Sequence, residues 1–260
     1  MISVIVPSYN SAPYIGNAIA SVLRQGFGDF EIVIQDACST DATESIIRSF
    51  GDARIRFYRE RDRGQSHALN MAIAKATGEW VVWLNADDLL HPQAFSSVVP
   101  LLDSSVDLVY GDFDIVDRTG ELLKSFTSSP LDFRRLLLHG TYIFSGATVW
   151  RKSVINQSGG FDESLHYTMD YEFFLRVARQ VRARHCPATI ASFRRHEGGK
   201  TTARPWPMFR EGLRIRRRYA QSPADFALAT CGHLQLGAYI LTRRLWHSAA
   251  WRRIRPYKRL

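Results

Sequence analysis

Short β-branched runs alternate with helical patterns through the first hundred residues, and no other feature of the chain restricts its fold as strongly. Residues 2–6, 31–34, 54–58 and 80–84 read as strands because they are brief, apolar and bounded by polar breaks. The first helix is expected to open near Ser11 with Pro13 in its first turn, the second to run over about residues 40–50, and the third over 66–76. Strand, helix, strand repeated in this way requires right-handed crossovers, so the expected class is α/β with a mostly parallel central sheet flanked by helices. Ligands of such sheets bind in the crevice at the carboxyl ends of the strands.

Beyond His91-Pro92, which starts another helix, residues 107–110 form a further strand, and 113–116 and 121–126 flank Asp117-Arg118-Thr119-Gly120 as a hairpin. The sheet therefore turns mixed. From Trp206 onward strand patterns cease, Pro205, Pro207 and Pro223 punctuate the chain, and Arg210, Arg214, Arg216, Arg217 and Arg218 crowd one helix. This places a boundary near residue 204, with residues 1–204 as the main domain and 205–260 as a basic amphipathic helical extension.

Composition bounds the remaining classes. A chain of 260 residues with 45% hydrophobic and 23% charged residues buries a full core and is not disordered. The net charge of +9 belongs to the tail, where residues 204–260 hold 13 Lys/Arg against 2 Asp/Glu. Arginines interleaved with Trp206, Phe209, Leu213, Tyr219, Trp246 and Trp251 suit an anionic membrane surface. The competing arrangement packs the extension on the main domain with a solvated basic face. Residues 226–241 are mostly apolar but too short and too polar to span a bilayer. No nucleic-acid motif accompanies the basic charge, so a nucleic-acid partner is not expected. Cys38, Cys186 and Cys231 form no C-x-x-C and read as ordinary thiols. Met1 to Pro7 carries no basic leader, so a cytoplasmic location, peripheral on the cytoplasmic face of the membrane, is expected.

The first strand ends in Val6-Pro7-Ser8-Tyr9-Asn10, where a dinucleotide-binding oxidoreductase would carry G-x-G-x-x-G. Without those glycines, this strand end, Pro7 and Tyr9 included, can hold a flat base instead, Tyr9 by stacking and the backbone nearby by hydrogen bonds; an ordinary strand-to-helix turn is the alternative. Asp36 ends the second strand and can accept from a base N–H, while Ser39, Thr40 and Asp41 suit helix capping. Leu84-Asn85-Ala86-Asp87-Asp88 brings adjacent carboxylates to the end of the fourth strand, the oxygen donors that Mg²⁺ or Mn²⁺ takes when a diphosphate supplies the rest. The same two acids can equally make a turn ahead of the following helix.

Taken together, Val4 to Asn10, Asp36 to Thr43, Gly64-Gln65-Ser66-His67-Ala68-Leu69-Asn70 and Asn85-Ala86-Asp87-Asp88 resemble glycosyltransferase family two, whose fold is the Rossmann-like GT-A fold. The resemblance implies a nucleotide-sugar-binding half over residues 1–110 and an acceptor half over 111–204. It implies a nucleoside pocket that includes Tyr9 and Asp36, a ribose contact near Asn85, and a divalent metal held principally by Asp87, helped by Asp88. The family commonly has aspartate where this chain has Asn85.

The acceptor half continues the resemblance through Ser145 to Arg151, Gly159-Gly160-Phe161-Asp162-Glu163-Ser164 and Met169-Asp170-Tyr171-Glu172. Displacement at an anomeric carbon needs a group to take the acceptor's proton, and a positioned carboxylate does so. Asp170 is the candidate base, although it also reads as a helix cap, and Asp162 ranks second. Met169 replaces the family's usual acidic neighbour. His196 stands where the family often has a histidine near metal or diphosphate, and Arg195 and Lys200 can clamp phosphate. The chain so read is an inverting, metal-dependent transferase moving a sugar from a nucleotide diphosphate to a polysaccharide or lipid-linked glycan in the cell envelope. A catalytically silent nucleotide-sugar- or membrane-binding module of the same fold is the alternative.

Overall fold

The computed structural model describes residues 1–200, 205–231 and 234. Expectations that fall on Trp246, Trp251 and most of residues 232–260 lie outside the described residues. Strands β1 (Ile2–Ser8), β2 (Phe30–Asp36), β3 (Ile55–Arg59) and β4 (Trp80–Trp83) pair in parallel in the order β3-β2-β1-β4. Helices α1 (Ile15–Leu23), α2 (Thr43–Ser49) and α3 (Gln65–Lys75) connect them. The sheet then becomes mixed through β5 (Leu89–Leu90), β6 (Leu108–Val116), β7 (Leu122–Phe126), β8 (Thr148–Arg151) and β9 (Ala183–Arg194). Strand β8 runs antiparallel to both β4 and β6, whereas β6 and β9 are parallel.

Alternation along β1 divides the core. Val4 and Val6 face α1 with its Ile15, Ala18, Ile19 and Val22, while Ile5 faces α3 with Leu69, Ala72 and Ile73. Both faces are covered, which is why β1, β2 and β4 are buried along their whole length. The β1–β2 register pairs Ser8 with Asp36, and β1–β4 pairs Ile5 with Trp83, so the segments following these three strands emerge at one rim.

Helix α1 starts at Ile15, four residues after the expected opening. Residues 11–14 form a turn because the Ser11 N–H donates to Thr43 Oγ1 at 2.8 Å and the Ala12 N–H to Asp41 Oδ2 at 3.0 Å, tying both to the neighbouring loop. The strands expected at 107–110 and 113–116 are one continuous β6, whose register against β9 shifts at Gly111/Asp112 and breaks the sequence alternation there.

The remaining helices are α4 (Ala94–Val98), α5 (Phe133–His139), α6 (Lys152–Gln157), α7 (Met169–Val177) and α8 (Pro205–Tyr219). Helix α8 is docked on the body: Ile215 is buried, and Arg216, also buried, donates through Nε to the Leu137 carbonyl at 3.1 Å. The Arg216 guanidinium lies 5.1 Å from the Tyr171 ring centroid. Among the described residues no helix is long and apolar enough to cross a membrane.

Candidate active site

At the carboxyl ends of β1 and β4 opens a cleft of about 1030 Å³, bounded opposite by the start of α7 and the segment after β9. Pro7, Tyr9, Asn85, Asp87, Asp170 and His196 all line it, and Gln65 and Lys200 join them. Asp36, Asp88 and Arg195 do not.

At the donor end Tyr9 is 62% exposed, leaving its ring free to meet a planar ligand. The Ser8 hydroxyl beside it is buried and has no hydrogen-bond partner among the described residues, a cost that a bound polar group would remove. Asn10 (φ 47°) and Cys38 (φ 61°) both hold left-handed backbone, unusual for residues with a side chain. They are cross-linked: the Asn10 N–H donates to Ser39 Oγ at 2.8 Å and the Thr40 N–H to Asn10 Oδ1 at 2.9 Å. Such strain persists where surrounding contacts over-determine it, commonly at binding sites. Asp36 differs from its expected placement: it is fully buried, and its carboxylate accepts from the Ser39 N–H and hydroxyl at 2.8 and 2.5 Å. It shapes the strained turn, and no oxygen of its own faces the cleft.

The segment after β4 carries the acids. Asn85 accepts at Oδ1 from Trp83 Nε1 (2.8 Å) and Gln65 Nε2 (2.7 Å), and its Nδ2 donates to Asp88 Oδ2 at 2.8 Å. Asp88 is buried away from the cleft, and its other oxygen accepts from the Arg194 N–H at 2.8 Å. Burial, then the neighbouring Asp87 charge, push its carboxyl well above the usual range. Asp87 remains a third exposed, with Oδ2 lying 2.9 Å from His196 Nε2. Arg194 secures this meeting by donating through Nε to the Asp87 carbonyl at 2.8 Å, and the Tyr14 ring lies 4.6 Å from that of His196. Among the described residues no three His, Cys, Asp or Glu side chains form a cage. One carboxylate and one imidazole instead fit a divalent ion whose remaining ligands come from a diphosphate.

Asp170 occupies the second position of α7 and Thr168 the cap. Burial raises the Asp170 carboxyl to about 6, opposed by the Tyr171 N–H that donates to Oδ1 at 2.7 Å. Among the described residues no side chain hydrogen-bonds to it. Asp162, the competing carboxylate, is engaged by Ser164 at 2.7 Å and by Arg218 at 3.2 Å. Lys200 reaches into the cleft and donates to Gln65 Oε1 at 2.7 Å, whereas Arg195, whose backbone N–H pairs with the Val116 carbonyl at 2.8 Å, is not among the residues lining it. Sequence reasoning missed Ser8, Tyr14 and Arg194, whose roles depend on contacts between distant segments.

Residues 3–197 match the family model Glycosyl transferase family 2. An uncharacterised glycosyltransferase of Rickettsia typhi is 33% identical over 190 residues, covering 69% of this chain and 59% of the relative. The Rhizobium meliloti succinoglycan biosynthesis protein ExoO is 29% identical, covering 65% and 53%. Among solved structures, Staphylococcus aureus TarS 1–349 in complex with UDP-GlcNAc has a TM-score of 0.67 at 21% identity, covering 84% of this chain and 66% of that one. The mannosyltransferase PcManGT of Pyrobaculum calidifontis, in complex with GDP-Man and Mn²⁺, has a TM-score of 0.63 at 23% identity, covering 95% and 76%. The matched segment spans between 23% and 59% of the length of such curated relatives.

The curled mixed sheet and its rim cleft are therefore those of a GT-A-fold glycosyltransferase. The chain belongs to glycosyl transferase family 2.

Proposed function

We propose that this chain transfers a sugar, with inversion, from a nucleotide diphosphate donor to a hydroxyl of a polysaccharide or lipid-linked glycan of the cell envelope. The observation that carries the reading is that Asp87, His196 and Asp170 line one cleft. Pro7 and Tyr9 bound the nucleoside end, and Asn85 stands beside them with its amide fixed by Trp83 and Gln65. Asp87 and His196 would hold Mn²⁺ or Mg²⁺, which supplies neutralisation of charge on the departing diphosphate. Lys200, at the same opening, adds a fixed positive charge to that end. At the far end Asp170 takes the proton from the acceptor hydroxyl as the new bond forms at the anomeric carbon. A carboxyl raised to about 6 is ionised at neutral pH and is a stronger base than an exposed one. The TarS complex with UDP-GlcNAc and the PcManGT complex with GDP-Man support the donor class, the Mn²⁺ of the latter supports the metal, and the name of ExoO supports a polysaccharide acceptor.

We also place the enzyme peripherally on an anionic, cytoplasmic membrane face. Trp206, Arg210, Arg214 and Arg217 are exposed along one side of α8, the combination that suits a lipid headgroup layer.

A screen of UDP- and GDP-sugars with Mn²⁺, read by thermal shift and by release of nucleotide diphosphate, tests the reading. Donor-specific stabilisation with turnover supports it. Stabilisation without turnover against any glycan acceptor favours the silent module that Asn85 and Met169 first raised.

A further inference from the structure

We infer that Glu211, on helix α8, is a positioning residue for the acceptor side of the cleft, fixing the loop from which the Asp170 helix springs; this rests on the base role proposed for Asp170. Glu211 is only 8% exposed. Its Oε1 accepts from the His166 N–H at 2.9 Å, and its Oε2 from the Tyr167 N–H at 2.8 Å and the Thr168 hydroxyl at 3.1 Å. Hydrogen bonds to an ionised acceptor are the strong ones, and here three act on consecutive residues. No Lys or Arg forms an ion pair with Glu211 among the described residues, so donors of this loop are the groups that satisfy its carboxylate.

The consequence reaches Asp170 through Thr168. Thr168 is the cap residue of α7, yet its hydroxyl makes no capping bond to the helix and instead donates to Glu211. Asp170 instead satisfies the Tyr171 N–H with Oδ1, which fixes its rotamer and leaves Oδ2 without a side-chain partner among the described residues. The same loop is held from the opposite side, where Ser66 Oγ donates to the Leu165 carbonyl at 2.9 Å. His166, Tyr167, Met169 and Asp170 all line the cleft, so the geometry of this loop sets where an acceptor rests. An appendage by sequence thus becomes part of the acceptor wall.

Glu211→Gln keeps the size of the side chain but aims an NH₂ group at loop donors. Ile215 and Arg216 still dock α8, so the fold survives the change. The test measures four things in the full chain: melting temperature, affinity for UDP and GDP with Mn²⁺, amide hydrogen exchange, and steady-state transfer with the donor and glycan found in the screen. Nucleotide affinity should not fall by more than about twofold: the donor contacts share no residue with the loop, and Glu211 acts on Lys200 only through its charge, whose removal favours an anionic ligand. Exchange at residues 166–167 should quicken by about tenfold or more, kcat should fall by about 10- to 100-fold with a raised acceptor KM, and Glu211→Asp should recover part of it. In an Asp170→Asn background, Glu211→Gln should lower kcat by less than about twofold further, since its effect on kcat runs through that side chain. Wild-type kcat and acceptor KM in Glu211→Gln, or a loss that multiplies with Asp170→Asn, would overturn the inference. Wild-type turnover in Asp170→Asn alone would instead remove the base assignment beneath it.

Discussion

His196 Nε2 lies 2.9 Å from Asp87 Oδ2, although 109 residues separate the two. Two segments converge to make this pair: the turn after β4 delivers the carboxylate, and the end of β9, tied to that turn by Arg194, delivers the imidazole. Both groups line the cleft, and each is a donor type that divalent first-row ions accept.

Asp87→Ala should therefore abolish the Mn²⁺-dependent part of the thermal stabilisation by UDP or GDP and lower kcat/KM by about 10²- to 10³-fold. His196→Ala should do the same to a smaller degree, since the carboxylate charge remains. Melting curves with nucleotide, recorded with Mn²⁺ and with EDTA, check both. Metal-dependent stabilisation unchanged in Asp87→Ala would count against this ligand pair.

Asp170 links acidity to stability in a direction opposite to that of most carboxylates. Its folded-state value of about 6 stands above the ordinary 3.8, so the folded protein retains a proton that the unfolded chain releases between those limits. The ionised carboxyl thus costs stability as pH rises through this window, by up to about 3 kcal/mol above it. Asp170→Asn should melt about 3–8 °C higher than wild type at pH 8, with the gain vanishing near pH 3. Transfer by the wild type should fall below about pH 6, where the base becomes protonated.

Asn85 is specified by its neighbours. Its Nδ2 donates to Asp88, a buried acid that also receives the Arg194 N–H. Asn85→Asp, which restores the residue the family commonly carries, would set two carboxylates 2.8 Å apart in place of a hydrogen bond. We expect a loss of about 1–3 kcal/mol in the metal-free protein, seen as a lower melting temperature in EDTA. An unchanged melting temperature would show that the amide is not required there.

Much of this was legible in the sequence. The strands β1, β2 and β4 were readable because each is short and buried on both faces, β3 because it is a short β-branched and aromatic run, and the rim residues because they follow β1, β2 and β4 directly. The orientation of Asp36 and Asp88 was not: a carboxylate at a strand end looks the same whether it faces a ligand or, as with Asp36, the Ser39 hydroxyl. Nor was the docking of α8, since Arg216 buried over Tyr171 and Arg217 exposed to solvent contribute identically to a basic composition.

That docking determines how the tail must be tested. A chain ending near residue 204 would lose Glu211 and Arg216 and with them part of the acceptor wall. Ending the chain at Gln221 retains α8, so flotation with vesicles of anionic and of neutral lipid separates the two halves of the extension. Recovery with anionic vesicles alone, retained in part by the shorter chain and lowered by Arg210→Ala, Arg214→Ala and Arg217→Ala together, is the expected result. Equal recovery on neutral lipid would argue against the arginine face.

The central claim is a division of labour within one cleft, with Asp87 serving the donor and Asp170 the acceptor's proton. Nucleotide affinity and sugar transfer measured side by side in Asp170→Asn test it most directly. The account predicts UDP or GDP affinity within about twofold of wild type, with transfer reduced by about 10²-fold or more. Transfer at the wild-type rate in that variant would contradict it.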